Sequence, residues 1–233
     1  MPIGVHPTEM QLLLDLQFRR ALTDLVDDWA APHHPVARTP GGAPGGPAWT
    51  DLANNLTVLD FNSATPDFLE CPAADSGDLN FMAGPFSLAI WIKADILGVR
   101  VVMCKDGTTN GWSWWIEAAT GEMNLQTFQG AGTSQVSIGT AGDVVIGTWR
   151  FVSAARSGAS VRLYTNGIDV TTVAATHVAP LTAVGNKFHI GINDAEGAGW
   201  IDGQLWRPRI WDRCLPASEM LAIFEMERAL LGV

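Results

Sequence analysis

The chain has 233 residues, 14 basic against 24 acidic side chains for a formal net charge of −10, and 47% hydrophobic residues against 16% charged. Soluble domains carry roughly 25% charged residues, so this composition excludes a disordered, solvating chain and requires a large core. Three Lys and eleven Arg scattered among more numerous acids lack the clustered cations that phosphate binding needs, which argues against nucleic acid as a partner. Ten Trp against one Tyr, with nine Phe, points to strands and aromatic packing more than to helix bundles.

The opening Met1-Pro2-Ile3-Gly4-Val5-His6 shows neither a basic nor an apolar leader region, and no apolar run is long enough to span a bilayer. Synthesis in the cytoplasm without a signal peptide, and no membrane partner, are the expectations. Cys71, Cys104 and Cys214 are odd in number and widely spaced, so they read as buried thiols and not as a disulfide framework or zinc site.

Taken in chain order, residues 8–31 read as an amino-terminal helix. Thr8 and Gln11 fit a capping box, and Leu14, Phe18, Leu22, Leu25 and Trp29 repeat at steps of four, four, three and four, ended by Pro32. The apolar stripe would serve for assembly, packing either on the following domain or on another chain; pattern alone does not choose. Residues 32–48 form a Pro/Gly-rich linker, with five Pro and four Gly in the sixteen positions from Pro32 to Pro47. A third unit, residues 49–233, carries short alternating runs with turn signals, the mark of an all-β sandwich or barrel. Its predicted strands are Leu56–Phe61, Asp67–Cys71, Phe86–Ala94, Arg100–Lys105, Trp112–Ala118, Met123–Gln129, Ser134–Gly139, Trp149–Ala155, Val161–Thr165, Ile168–Val173, Lys187–Ile192 and Gln204–Trp211. Asn166-Gly167 between two of them supplies the positive φ angles of a two-residue hairpin. A closing helix over Pro216–Leu231 opens on Pro and stops at Gly232.

These runs, in this order, resemble the laminin G-like members of the concanavalin A-like jelly-roll superfamily over about residues 56–224. Phe86-Ser87-Leu88-Ala89-Ile90-Trp91-Ile92-Lys93 is similar to the family's "F-S-x-x-x-W-x-K" strand. Trp149-Arg150-Phe151-Val152 and Leu163-Tyr164-Thr165-Asn166-Gly167 are similar to its "W-x-x-V" strand and "L-Y-x-N-G" hairpin. Phe188-His189-Ile190-Gly191, Gly203-Gln204-Leu205 and the stretch from Arg209 to Glu219 resemble the closing strands and the start of the last helix. The resemblance implies a jelly-roll of two antiparallel sheets used mostly as a binding module for glycans or protein surfaces, with calcium at the rim in many members.

Fold does not settle function, so three kinds of site are weighed. Glycoside hydrolysis needs two facing carboxylates, roughly 5 to 9.5 Å apart, and no acid pair on alternate strand positions supplies them. Glu117 and Glu122 bracket a turn, and no nucleophile elbow or His-Glu-x-x-His motif occurs. The chain is therefore expected not to be an enzyme, with a polysaccharide hydrolase as the minor alternative. For calcium, the candidate oxygens are Asp106, Asn193, Asp194 and Glu196 in two strand-end loops, although Trp206 stands where relatives often carry an acid. For ligand contact, Trp112 and Trp114 share one strand face beside Asn110, with Trp115 on the other, so an aromatic platform competes with core packing. His33 and His34 read as solvated, and His177 and His189 as structural. Pro208 suggests an edge strand or a bulge.

The favoured expectation is a non-catalytic module held in a larger assembly with other protein subunits, as a homo-oligomer or in a bacteriophage virion as a capsid decoration or tail appendage. A free lectin binding a cell-surface glycan is the alternative.

Overall fold

Alternating side chains, buried on one face or on both, set the architecture along almost the whole chain. The computed structural model describes residues 11–18, 25–30, 33–40, 46–107, 109–130, 133–178 and 180–233. Its strands are β1 Leu12–Gln17, β2 Leu25–Asp28, β3 Val36–Pro40, β4 Ala48–Asp51, β5 Thr57–Phe61, β6 Asp67–Cys71, β7 Phe86–Ala94 and β8 Arg100–Gly107. They continue with β9 Asn110–Ile116, β10 Met123–Gly130, β11 Thr133–Ile138, β12 Arg150–Ser157, β13 Ser160–Thr165, β14 Ile168–Asp169, β15 Phe188–Ile190 and β16 Gly203–Trp211, and a single helix α1, Ala217–Leu231, closes the described chain. All pairings are antiparallel.

The ladder is continuous but lies in two facing layers, as expected for an all-β jelly-roll. One runs β14-β13-β12-β7-β16, where β16 shares its far edge between β5, backed by β4, and β1. The other runs β11-β10-β9-β8-β15-β6-β3-β2, and the β1–β2 pair joins the two. Between the layers Phe86 of β7 stacks on Phe81 and lies 6.0 Å from Trp112 of β9, which in turn meets Phe188 of β15 at 6.2 Å. On the outer side of the first layer α1 covers Trp91, whose ring meets Phe224 at 5.7 Å and whose indole N–H donates to Glu227 at 2.9 Å. Strand β7 is therefore buried on both faces and reads as an unbroken apolar run.

Each of the twelve predicted body strands is present, with shifted ends, and so is the closing helix, which begins after Pro216 and ends on left-handed Gly232. Asn166 and Gly167 take positive φ angles of 52° and 77° between β13 and β14. A side chain at Gly167 would lie 2.5 Å from the Leu221 backbone, so this turn must be bare for α1 to dock. Pro208 marks a bulge: the β16–β7 register shifts between Trp206 and Arg209, with Arg207 at φ 50°.

The amino-terminal expectation is corrected. Residues 12–17 and 25–28 are strands, not turns of a helix, and residues 36–40 of the expected linker form β3, bonded to both β2 and β6. The reason is geometric: residues four apart share a face in a strand as well as in a helix. Leu14, Leu16 and Phe18 all point into the core. Strand β2 alternates strictly, so Val26 and Asp28 are buried while Leu25 and Trp29 face out. Of the expected assembly stripe, Leu14 and Phe18 are thus core residues, Leu25 and Trp29 are exposed, and Leu22 lies outside the described residues, as does Thr8. His34 is not solvated either. Its two ring nitrogens lie 2.9 Å from Asp28 and 2.9 Å from Asp78, tying β2 to the 3-10 turn Gly77–Leu79. No helix among the described residues is long and apolar enough to cross a membrane.

Candidate functional site

The pairing of β1 with β16 brings residues from both chain ends to one surface groove of about 670 Å³, lined by Gln11, Leu12, Leu13, Asp15, Trp29, Ala30, Arg207 and Asp212. Its aromatic wall is Trp29, 52% exposed because it continues the outward positions of β2. Its backbone N–H donates to the Asp15 carbonyl at 3.0 Å, which fixes the residue against β1. At the groove end Gln11, in a left-handed turn of φ 59°, accepts the Asp212 N–H at 3.1 Å.

The polar floor is an ion-pair network. The β16 bulge turns Arg207 so that its guanidinium forks onto both Asp15 oxygens at 3.2 Å and sends a further N–H to Glu227 at 2.7 Å. Glu227 also accepts Arg209 at 2.8 Å and the Trp91 indole, so α1 holds the floor from behind. Burial works against the Arg207 charge, but Asp15 and Glu227 hold its pKa above the usual value. An exposed indole beside fixed carboxylate and guanidinium groups offers a stacking face and directional hydrogen bonds at once.

The aromatic platform expected at Trp112 and Trp114 is absent, since the two are 2% and 0% exposed and belong to the inter-layer core. Trp112 donates its indole N–H to the Leu79 carbonyl at 2.9 Å. Asn110 is occupied in holding the neighbouring loop, donating to the Thr182 carbonyl at 2.8 Å. Trp115, on the opposite strand face, is half-buried.

The four expected calcium oxygens do not form one rim site. Asp106 is buried, and burial with the nearby Asp194 charge pushes its carboxyl up to about 7. The Asn193 side-chain oxygen closes its own loop, accepting the N–H groups of Gly197 and Ala198 at 3.2 Å. Glu196 instead joins Lys187 at 2.8 Å, and among the described residues the ligand-type side chains that converge within 4.8 Å are Glu70, His189 and Glu196.

A second depression, of about 460 Å³, gathers Asp60, Asp67, Asp95 and Asp202. Burial, with the charges of Asp95 and Asp202, raises the Asp60 pKa despite Gln204. Two of these acids fasten a loop: Asp202 accepts the Ser63 N–H and hydroxyl, and Asp67 accepts the Asn62 N–H at 2.9 Å. Neither depression has a local sequence motif, because each is assembled from residues far apart in the chain.

The sequence profile described as the concanavalin A-like lectin/glucanases superfamily, of laminin G type, matches residues 72–220, well over half of the chain. The chain belongs to this superfamily. No curated protein sequence matches it. Among solved structures, this superfamily member is similar to the binding domain of botulinum neurotoxin DC in complex with SialylT, at 13% identity and TM-score 0.67, over 94% of this chain and 51% of that one. It is equally similar to the binding domain of Paraclostridial Mosquitocidal Protein 1, at 14% identity and TM-score 0.69, over 93% of this chain and 52% of that one. A structure of botulinum neurotoxin type C, whose cell entry is dependent upon interaction with two ganglioside molecules, aligns at 14% identity and TM-score 0.68, over 94% of this chain and 51% of that one. The chain spans about half the length of these neighbours. At such identity the likeness concerns the fold, and because it takes in 93 to 94% of this chain it reaches well outside residues 72–220 into the amino-terminal strands.

Proposed function

We propose that this superfamily member is a non-catalytic binding module that takes a glycan in the Trp29 groove. The observation that carries the reading is the half-exposed Trp29 indole standing beside the Asp15–Arg207 pair in a cleft of about 670 Å³. A sugar ring presents an apolar C–H face for the indole and a rim of hydroxyls for Asp212, Asp15 and Arg207, and the cleft lies in the size range of small-molecule sites. Arg207 engages both Asp15 oxygens, which supports a binding role for this carboxylate. The structural neighbours, a botulinum neurotoxin DC binding domain in complex with SialylT and a botulinum neurotoxin type C whose cell entry is dependent upon interaction with two ganglioside molecules, support a surface-recognition role. The virion setting drew in part on an amphipathic anchor over residues 8–31; residues 12–17 and 25–28 pair as strands instead, which favours the lectin reading.

A glycan array probed with the full chain is the direct test. A defined set of oligosaccharides should respond, Trp29→Ala should weaken binding roughly tenfold or more, and Trp115→Ala, on β9 and five strands from β2 in the ladder, should leave it unchanged. A blank array on correctly folded protein contradicts the proposal.

A further inference from the structure

On the outer face of the second layer, away from the Trp29 groove, β6 and β15 place Glu70 directly opposite His189. Alternation sends Leu69, Cys71, Phe188 and Ile190 into the core and leaves Glu70 and His189 side by side on the other face. The Gly-rich loop 193–199, pinned by the Asn193 side chain, carries Glu196 to the same spot in a left-handed conformation of φ 54°.

The imidazole is 1% exposed, its ring set edge-on to Phe68 at 5.8 Å, and neither ring nitrogen makes a hydrogen bond of good geometry. A buried polar group left so costs free energy unless something satisfies it. Its Nε2 lies 3.5 Å from Glu70 Oε2 and 3.5 Å from Glu196 Oε1. A tetrahedral ion about 2.1 Å from each donor holds neighbouring donors about 3.4 Å apart. The Lys187 ammonium already draws the two carboxylates together, 2.8 Å from each. That ammonium satisfies the acids and leaves the imidazole without a hydrogen bond, whereas a divalent ion satisfies all three donors.

We propose that Glu70, His189 and Glu196 form a divalent transition-metal site, suited to zinc, in which Lys187 is the resident cation that the metal displaces. One imidazole and two carboxylates suit zinc with a fourth position open to water, and fall short of the six to eight oxygens calcium takes. Lys187 and Glu196 are partly solvent-exposed, so the ammonium can swing out and an ion can enter from the loop side.

Zinc sulfate titrated into the chelator-stripped full chain, against a chromophoric competitor, tests this. One ion should bind per chain. Affinity should fall roughly tenfold or more in His189→Ala and in Glu196→Gln, and rise in Lys187→Met, where the competing charge is gone. Glu196 sits on a half-exposed loop, so its variant keeps the test open should His189→Ala fail to fold, and Trp29→Ala should bind zinc as the parent does. Absence of zinc binding in both the parent and Lys187→Met overturns the proposal. So does equal uptake by the parent and Glu196→Gln, which would put the ion elsewhere, for example on the amino-terminal histidines.

Discussion

Trp112 lies in β9 and Trp29 directly follows β2 of the same ladder, yet one is locked between Phe86 and Phe188 and the other stands half in solvent over an ion pair. The difference lies in what covers each face. The inner faces of β7, β9 and β15 cover one another, α1 covers the outer face at Trp91, and the 193–199 loop covers His189. Trp29 is half-exposed and lines a groove floored by the Asp15–Arg207 pair. Residue type alone thus does not tell a core tryptophan of this sandwich from an exposed one.

The largest effect that sharpens this contrast is in the core. Trp114→Ala should cost about 3 to 5 kcal/mol in urea unfolding, while Trp29→Ala should stay within about 0.5 kcal/mol. Equal costs would mean that Trp29 is a packing residue and the groove a fold defect. Next comes the amino-terminal strand itself: Leu14→Ala should cost about 2 to 5 kcal/mol and Leu25→Ala about 0.5 or less. A neutral Leu14→Ala would show β1 to be an appendage instead of a wall of the core.

Smaller, and set by pH, is the clasp between β2 and the Gly77–Leu79 turn. Burial opposes the His34 charge, but Asp28 and Asp78 raise its pKa from 6.5 to about 9. A raised folded value means that the contribution is full below pH 6.5 and fades as pH climbs through about 9. His177 behaves in the opposite sense. Burial, with Arg156 nearby, lowers it to about 4, so it weakens the fold as pH falls from 6.5 toward 4. Unfolding midpoints should therefore decline on both sides of a plateau near neutrality, with His34→Gln flattening the alkaline limb alone; an unchanged limb would remove the clasp.

The body of the fold was legible in sequence because alternating runs, Asn166-Gly167, Pro216 and Gly232 each speak for themselves over a few residues. The amino-terminal strands were not. The step of four from Leu14 to Phe18 fits both periods, and the Pro/Gly content around β3 hides a five-residue strand that ends at Pro40. Both candidate sites were beyond reach for a different reason. Asp15 meets Arg207 through the β1–β16 pairing, and Glu70 meets His189 through the β6–β15 register, so no short motif announces either. Glu196 was recognisable as a loop acid, but its partners were not. Asp106 and Asp194 looked like metal oxygens because strand-end acids are cheap to place, yet burial leaves one of them near its titration point.

Amide hydrogen exchange of the full chain, free and with the oligosaccharide selected on the array, bears on both the strands and the groove. Leu14 and Leu16 should be protected in the free protein as strongly as Ile90 and Ile92, and added sugar should slow exchange at Leu12, Leu13 and Ala30. Rapid exchange across residues 12–17, or sugar-dependent protection confined to another face, would contradict a glycan groove built by the first strands of the sandwich.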